Sequence, residues 1–158
     1  LKIFDVSQMS GLKGQFYYEG AYELAEDEAL ISEVPVPQSY RYWSIILTNE
    51  LYETTDWYNN QASLNDVQGV VNPDGVFRTV ISSRDPGVHN WLDTSGYPAG
   101  AIQGRWFEAS EKPMPTIRKV KIDDVLSHLP EATRRVSPQE RSEALRDRRL
   151  AAQMRIIW

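Results

Sequence analysis

The sequence predicts a mainly β protein, an antiparallel β-sandwich or jelly roll with a C-terminal α-helical appendage. Short apolar and aromatic runs, several of them alternating, recur through the first 122 residues and are separated by turn-forming residues. Helix-start signals occur only after residue 122. Short connections between neighbouring runs favour antiparallel pairing, and a chain of 158 residues is long enough to bury one core.

About seven strands are predicted, because β-branched and aromatic residues concentrate in seven short runs. Their ranges are 16–22, 29–34, 42–47, 67–71, 77–82, 102–107 and 116–122. The fourth and fifth runs flank Asn72-Pro73-Asp74-Gly75, the clearest turn in the chain. Pro73 presets φ for a turn and Gly75 accepts positive φ, so we expect the two runs to form a β-hairpin.

Two helices are predicted near the C-terminus. Asp123 is a candidate N-cap for a short helix that ends at His128 or Leu129. Ser137, Pro138 and Glu140 combine an N-cap, a first-turn proline and a capping-box carboxylate, so a second helix should run to about Met154. These signals divide the chain into a β-sandwich domain, residues 1–125, and a helical extension of the same domain, residues 126–158.

Composition removes several functional classes. The chain has no cysteine, which excludes disulfides, thiolate metal sites and a cysteine nucleophile. No apolar run is long enough to span a membrane. Eleven basic residues fall in 112–158, but acidic residues alternate with them at helical spacing and the net charge is −5, so we interpret the arginines as a solvated helix face with no nucleic-acid partner.

The start of the sequence, Leu1-Lys2-Ile3-Phe4, is typical of the end of a preceding element. We therefore expect the chain to be a piece of a larger protein. No signal peptide is visible, and together with the lack of cysteine this favours a cytoplasmic location.

The middle of the chain, about residues 16–125, resembles the domain of unknown function numbered 1214. The motifs that carry the resemblance occur in the family's order: Tyr42-Trp43-Ser44, Ser63-Leu64-Asn65, the Asp74-Gly75 turn, Arg84-Asp85-Pro86-Gly87, Asn90-Trp91-Leu92-Asp93-Thr94-Ser95-Gly96 and Gly104-Arg105-Trp106. The resemblance implies a β-sandwich module at the C-terminal end of a longer bacterial protein, often preceded by the domain numbered 1254. It implies no reaction and no catalytic residues.

The segment 83–96 carries the candidate chemistry. His89 is a candidate general base, with Asp85 or Asp93 to orient it and Arg84 or Arg105 to hold an anionic intermediate. The equally sensible structural interpretation is that both aspartates accept backbone N–H bonds in turns and that one of the two arginines pairs with one of them. Metal binding is not predicted, because Pro86-Gly87 prevents the helix on which the Asp-His-Asp spacing would matter.

A second set of residues suggests ligand binding. Indole rings stack on sugars and aromatic molecules, so Trp91 and Trp106 are candidates for the floor of a pocket, with Asn90 beside it and Tyr97 as a wall. The aromatic and amide run 57–61 also suits hydroxyl-rich ligands, although Trp57 could instead fill the sandwich. No cofactor-binding motif is present.

Three functions therefore remain open. The first is a module that binds a small polar or carbohydrate-like molecule near the Arg84–Gly96 loop, which requires an indole face in a cleft. The second is a hydrolase- or lyase-type enzyme, which requires His89 to lie in a pocket within hydrogen-bond reach of a carboxylate. The third is a structural module that docks the N-terminal domain of the same protein or a second subunit.

Overall fold

A computed structural model describes residues 4–5 and 14–155 of the chain, and residues 1–3, at the abrupt start discussed above, lie outside the described part. The protein is a two-layer β-sandwich followed by one α-helix, which confirms the predicted fold class. Its elements are β1 (Phe4–Asp5), β2 (Gln15–Glu23), β3 (Glu28–Pro35), β4 (Tyr42–Thr48), β5 (Ser63–Asn65), β6 (Val76–Ser82), β7 (Trp91–Asp93), β8 (Ala99–Phe107), β9 (Thr116–Lys121), a 3₁₀ helix (Ile122–His128) and α1 (Pro138–Gln153).

The strands form two sheets. The first sheet has the order β1-β2-β8-β4-β5 and is antiparallel throughout. The second sheet has the order β7-β6-β3-β9, in which only the β6–β7 pair is parallel. The sheets thus combine strands that are distant in the chain, as a sandwich requires.

The main core lies between the two sheets. Trp43 of β4 packs against Phe77 of β6 with ring centroids 4.4 Å apart, and against Trp106 of β8 at 5.7 Å. Burial alternates along β2 and β4, as expected for strands with one face toward the core. The outer face of the first sheet therefore carries the remaining, mostly polar side chains of these strands.

The second sheet is covered on both faces. Ala29, Ile31 and Val80 on its outer face pack with Val88 and Trp91 of the 83–96 loop and with the 3₁₀ helix. This second cluster explains why β3 is buried at four consecutive positions instead of alternating. The two sheets consequently differ: the outer face of the second has an apolar, covered region around Ile31 and Val80, whereas the outer face of the first is mostly polar.

The predicted hairpin around residues 72–75 is wrong, although its turn is correct. The Gly75 N–H donates to the Asn72 carbonyl at 2.9 Å, and Gly75 has a φ of +78°. The preceding residues form no strand, because the Asn65 side chain accepts the backbone N–H groups of Val67 and Gln68 and turns the chain away. β6 pairs with β3 and β7 instead.

The helix predictions had two outcomes. Ser137 caps α1 and forms a reciprocal capping box with Glu140, with Pro138 at the first helical position, which confirms the predicted start. Asp123 does not cap the short helix. It lies inside the first turn of the 3₁₀ helix, whose N-cap is Lys121 without a side-chain cap bond.

No helix within residues 4–5 and 14–155 is long and apolar enough to cross a membrane.

Candidate ligand-binding cleft

The two aspartates of the 83–96 loop are turn residues. The Asp85 carboxylate accepts the Gly87 N–H at 2.8 Å, and the Asp93 carboxylate accepts the Ser95 N–H at 2.8 Å. Burial raises the pKa of Asp93 above its ordinary value. Both contacts agree with the structural interpretation of this loop.

The arginine that pairs with Asp85 is neither of the two predicted. Arg84 instead contacts Asp123 at 3.2 Å, and Arg105 lies on the outer face of the first sheet. Arg141, in the first turn of α1, donates its Nε–H to Asp85 at 2.9 Å and a further N–H to the Gln61 side chain at 2.9 Å. The helical spacing of the C-terminal charges had suggested a solvated face, but the Arg141 side chain is only 7% exposed.

The structure does not bring the residues of the predicted catalytic constellation together. His89 is half-buried, and its Nε2 lies 2.9 Å from the Gln68 carbonyl oxygen. No carboxylate is hydrogen-bonded to His89 within the described part of the chain. Burial lowers the pKa of His89, and the nearby charges of Arg134 and Arg141 lower it further.

The described residues also contain no group of three or more histidine and acidic side chains that could hold a metal ion.

The structure buries both tryptophans and Asn90, three of the residues predicted to line a pocket. Trp106 is 2% exposed in the core between the sheets, and Trp91 is 5% exposed in the second cluster, where its Nε1–H donates to Ser82. Asn90 is also buried, and its side chain bonds the backbone of Val70 and Arg78. These three side chains therefore stabilise the fold.

Tyr97 is the exception among the predicted pocket residues. Its side chain is 42% exposed and lines an open groove of about 700 Å³ together with Arg84. Ser83, Thr94 and Gly96 of the same loop also lie along this groove. The loop therefore borders a surface groove, and neither tryptophan lines it.

A more strongly polar cleft shares no lining residue with this groove. It has a volume of about 440 Å³ and is formed by the outer face of the first sheet and the C-terminal end of α1. Tyr17, Tyr42, Ser44, Ile46, Ser63, Leu64, Asn65, Gln103 and Arg105 come from the sheet, Gln68 and Trp57 from loops, and Arg148, Ala151, Ala152 and Arg155 from α1 and its end.

Alternation along the strands explains the sheet wall of this cleft. On each of β2, β4 and β8 the inward residues fill the core, so the residues between them project outward. These outward residues include Tyr17, Tyr42, Ser44 and Arg105. The guanidinium of Arg105 lies 5.1 Å from the centre of the Tyr42 ring.

Hydrogen bonds from Arg148 attach the helix wall to the sheet. Its guanidinium donates to the Trp57 carbonyl at 3.1 Å, the Ser63 hydroxyl at 3.1 Å and the Ser63 carbonyl at 2.8 Å. Ala151 and Ala152 follow one turn later, and their small side chains leave space between helix and sheet. Just beyond the helix, the Arg155 guanidinium lies 4.7 Å from the centre of the Trp57 ring.

Sequence reasoning identified only part of this cleft. The sequence predicted a functional role for Arg105, but as a residue that holds an anionic intermediate near His89. It also indicated that the 57–61 run suits hydroxyl-rich ligands. Arg148 and Arg155 were missed because they were assigned to a solvated helix face. The usable signal was the set of polar residues at alternate positions of strands 15–23, 42–48 and 99–107, which indicated a polar outer face.

Comparison with known proteins supports the fold and leaves the activity open. No family model matches the chain, and no curated protein matches it. A solved structure of an uncharacterised protein from Burkholderia cenocepacia is similar over 77% of this chain, with 29% identity and a TM-score of 0.72. The VPA0106 protein from Vibrio parahaemolyticus is similar in fold over 68% of the chain, with 18% identity and a TM-score of 0.54.

The chain covers 35% and 31% of those two proteins, about a third of the length of each. It is therefore similar to one part of each of these larger bacterial proteins.

Proposed function

We propose that this domain binds a small polar molecule in the cleft between the first sheet and α1. The observation that carries the proposal is the lining of the cleft, in which guanidinium groups, tyrosine hydroxyls and side-chain amides converge on a space of about 440 Å³. That volume suits a ligand of the size of a monosaccharide, and polar groups converging on a concavity are typical of ligand sites.

Trp57 and Tyr42 add apolar surface to this polar lining. Rings beside hydrogen-bonding groups are suited to hydroxyl-rich ligands, because a sugar has both apolar C–H faces and polar edges. In this proposal the rings that contact the ligand are Trp57 and Tyr42, and not Trp91 and Trp106 as expected from the sequence.

We further propose that the domain is a member of the family of the domain of unknown function numbered 1214, and that it forms the C-terminal part of a larger protein. The resemblance of its motifs and its similarity to one third of an uncharacterised Burkholderia protein support this proposal.

A ligand screen mapped by NMR tests the binding proposal. The domain is titrated with a set of neutral sugars, polyols, sugar acids and sugar phosphates, and backbone amide shifts are followed. We expect binders to shift the amides of Ser44, Gln103 and Ala152, which line the cleft. Binders that shift only residues around Tyr97 would place the site in the other groove and contradict the proposal.

A cleft-filling variant provides the matched control. Ser44→Tyr adds a ring to the floor of the cleft and should abolish binding. Ala21→Tyr adds the same ring to an exposed position of the same sheet outside the cleft and should leave binding unchanged. Equal binding by the two variants would contradict the proposal.

A further inference from the structure

The charge of the cleft is unbalanced. Three arginines, Arg105, Arg148 and Arg155, line it, and none of the described residues that line it is an aspartate or a glutamate. The whole chain carries a net charge of −5, so the cleft is positively charged although the protein as a whole is negatively charged.

Arg148 differs in its partners from Arg78 and Arg141, two other poorly exposed arginines. Arg78 binds Glu33 at 2.6 Å and Asp74 at 2.8 Å, and Arg141 binds Asp85. Arg148 donates only to two carbonyl oxygens and one hydroxyl among the described residues. A half-buried cation without a counter-ion is costly, and burial together with the charge of Arg141 lowers its pKa.

Arg105 and Arg155 also lack a carboxylate partner among the described residues. Each lies over an aromatic ring, Tyr42 and Trp57 respectively. Cation–π contact orients a guanidinium without neutralising it. The carboxylate of Glu19, on the same sheet face, accepts hydrogen bonds from Gln103 at 2.6 Å and from Tyr52 at 3.4 Å and is not part of the lining.

We propose that the cleft recognises its ligand through an anionic group, a carboxylate or a phosphoryl group, held by Arg105, Arg148 and Arg155. The planar guanidinium matches both groups through paired N–H donors. The tyrosine hydroxyls and amides around them would then bind the polar remainder of the ligand. This inference rests on the proposed function and narrows its ligand to acidic small molecules such as sugar acids or sugar phosphates.

Calorimetric titration with matched probes tests the anion. D-glucose, D-glucuronate, D-glucose 6-phosphate and inorganic phosphate are compared on the same protein. We expect at least one of the two acidic sugars to bind about tenfold or more tightly than glucose, because charge-assisted hydrogen bonds are absent from the neutral sugar. The comparison of glucuronate with glucose 6-phosphate identifies the favoured anion, and inorganic phosphate shows how much of the affinity the anion alone provides.

Two variants assign the effect to the cleft. Arg105→Gln should weaken binding of the acidic sugar about tenfold and leave glucose unaffected. Arg41→Gln is its matched control, because Arg41 also lies over a ring, Phe107 at 5.5 Å, but outside the cleft. Arg155→Gln, at the exposed end of α1, repeats the test at a position where misfolding is not expected. Thermal unfolding verifies that each variant is folded.

The outcomes separate the two proposals. Glucose binding as tightly as both acidic sugars, or unchanged affinity in both cleft variants, overturns the anion inference and leaves a polar cleft in place. If neutral ligands bind in the cleft and none of the acidic probes binds, the anion inference is also overturned and the polar cleft remains. If neither neutral nor acidic compounds bind in the cleft, both proposals are overturned.

Discussion

The guanidinium of Arg141 binds the carboxylate of Asp85 at 2.9 Å, across 56 positions of sequence. Arg141 also donates to the Gln61 side chain and to the Val88 carbonyl, and it lies 5.1 Å from the centre of the Trp91 ring. One side chain thus joins the first turn of α1 to the 83–96 loop. Arg148 makes a second set of contacts, so we expect these two arginines to hold the helix in its orientation.

Removing the Arg141 contact should destabilise the domain. Arg141→Gln leaves Asp85 without its counter-ion and several buried acceptors without donors, and we expect a loss of roughly 3 kcal/mol in the free energy of unfolding. Urea denaturation measures it. Arg146→Gln, an exposed arginine on the same helix, should change stability by less than about 0.5 kcal/mol. Equal effects of the two substitutions would show that Arg141 does not anchor the helix.

His89 should make stability depend on pH. Burial holds its pKa in the folded protein below the ordinary value of 6.5. The unfolded chain therefore binds more protons between these two pKa values, so protonation favours unfolding and stability decreases as the pH falls below about 6.5. His89→Gln should be less sensitive over the same interval.

Denaturation at a series of pH values from 7.5 to about 5 measures this effect. His128→Gln, which removes the exposed histidine of the 3₁₀ helix, is the control. An identical loss of stability in the wild type and in His89→Gln would contradict the prediction.

Gly100 should tolerate no side chain. A Cβ atom at this position would lie 1.9 Å from the Thr48 carbonyl oxygen, which belongs to the neighbouring strand β4. Gly100→Ala must displace backbone, so we expect a loss of about 2 kcal/mol or more. Gly75→Asn is the comparison, because position 75 has open space and a positive φ that asparagine accepts, and it should cost less than about 1 kcal/mol. Thermal unfolding distinguishes the two variants.

The sequence predicted those features that depend on neighbours along the chain. Ser137, Pro138 and Glu140 lie within one turn, and their pattern specified the start of α1 correctly. Six of the seven predicted strand runs are strands for the same reason, since alternation is a local property. Strand pairing is not local: β6 follows a good hairpin turn, yet it pairs with β3, more than 40 positions earlier.

The candidate site was hard to predict for a related reason. Whether an arginine on a helix is solvated or bound depends on what lies opposite, and the partners of Arg148 are Trp57 and Ser63, 91 and 85 positions away. The tryptophans pose the same problem, because an indole is equally suited to a core and to a pocket. Trp91 and Trp106 fill cores, and Trp57 lines the cleft.

Since the end of α1 is one wall of the cleft, the ligand binding that we propose would be thermodynamically linked to helix docking. A molecule that contacts both walls binds only the state in which α1 is docked on the sheet. Binding therefore stabilises the docked helix, and docking strengthens binding, by the same coupling free energy. Saturation with ligand should therefore slow hydrogen exchange of the α1 amides. By reciprocity, loosening the helix at Arg141, which does not line the cleft, should weaken binding.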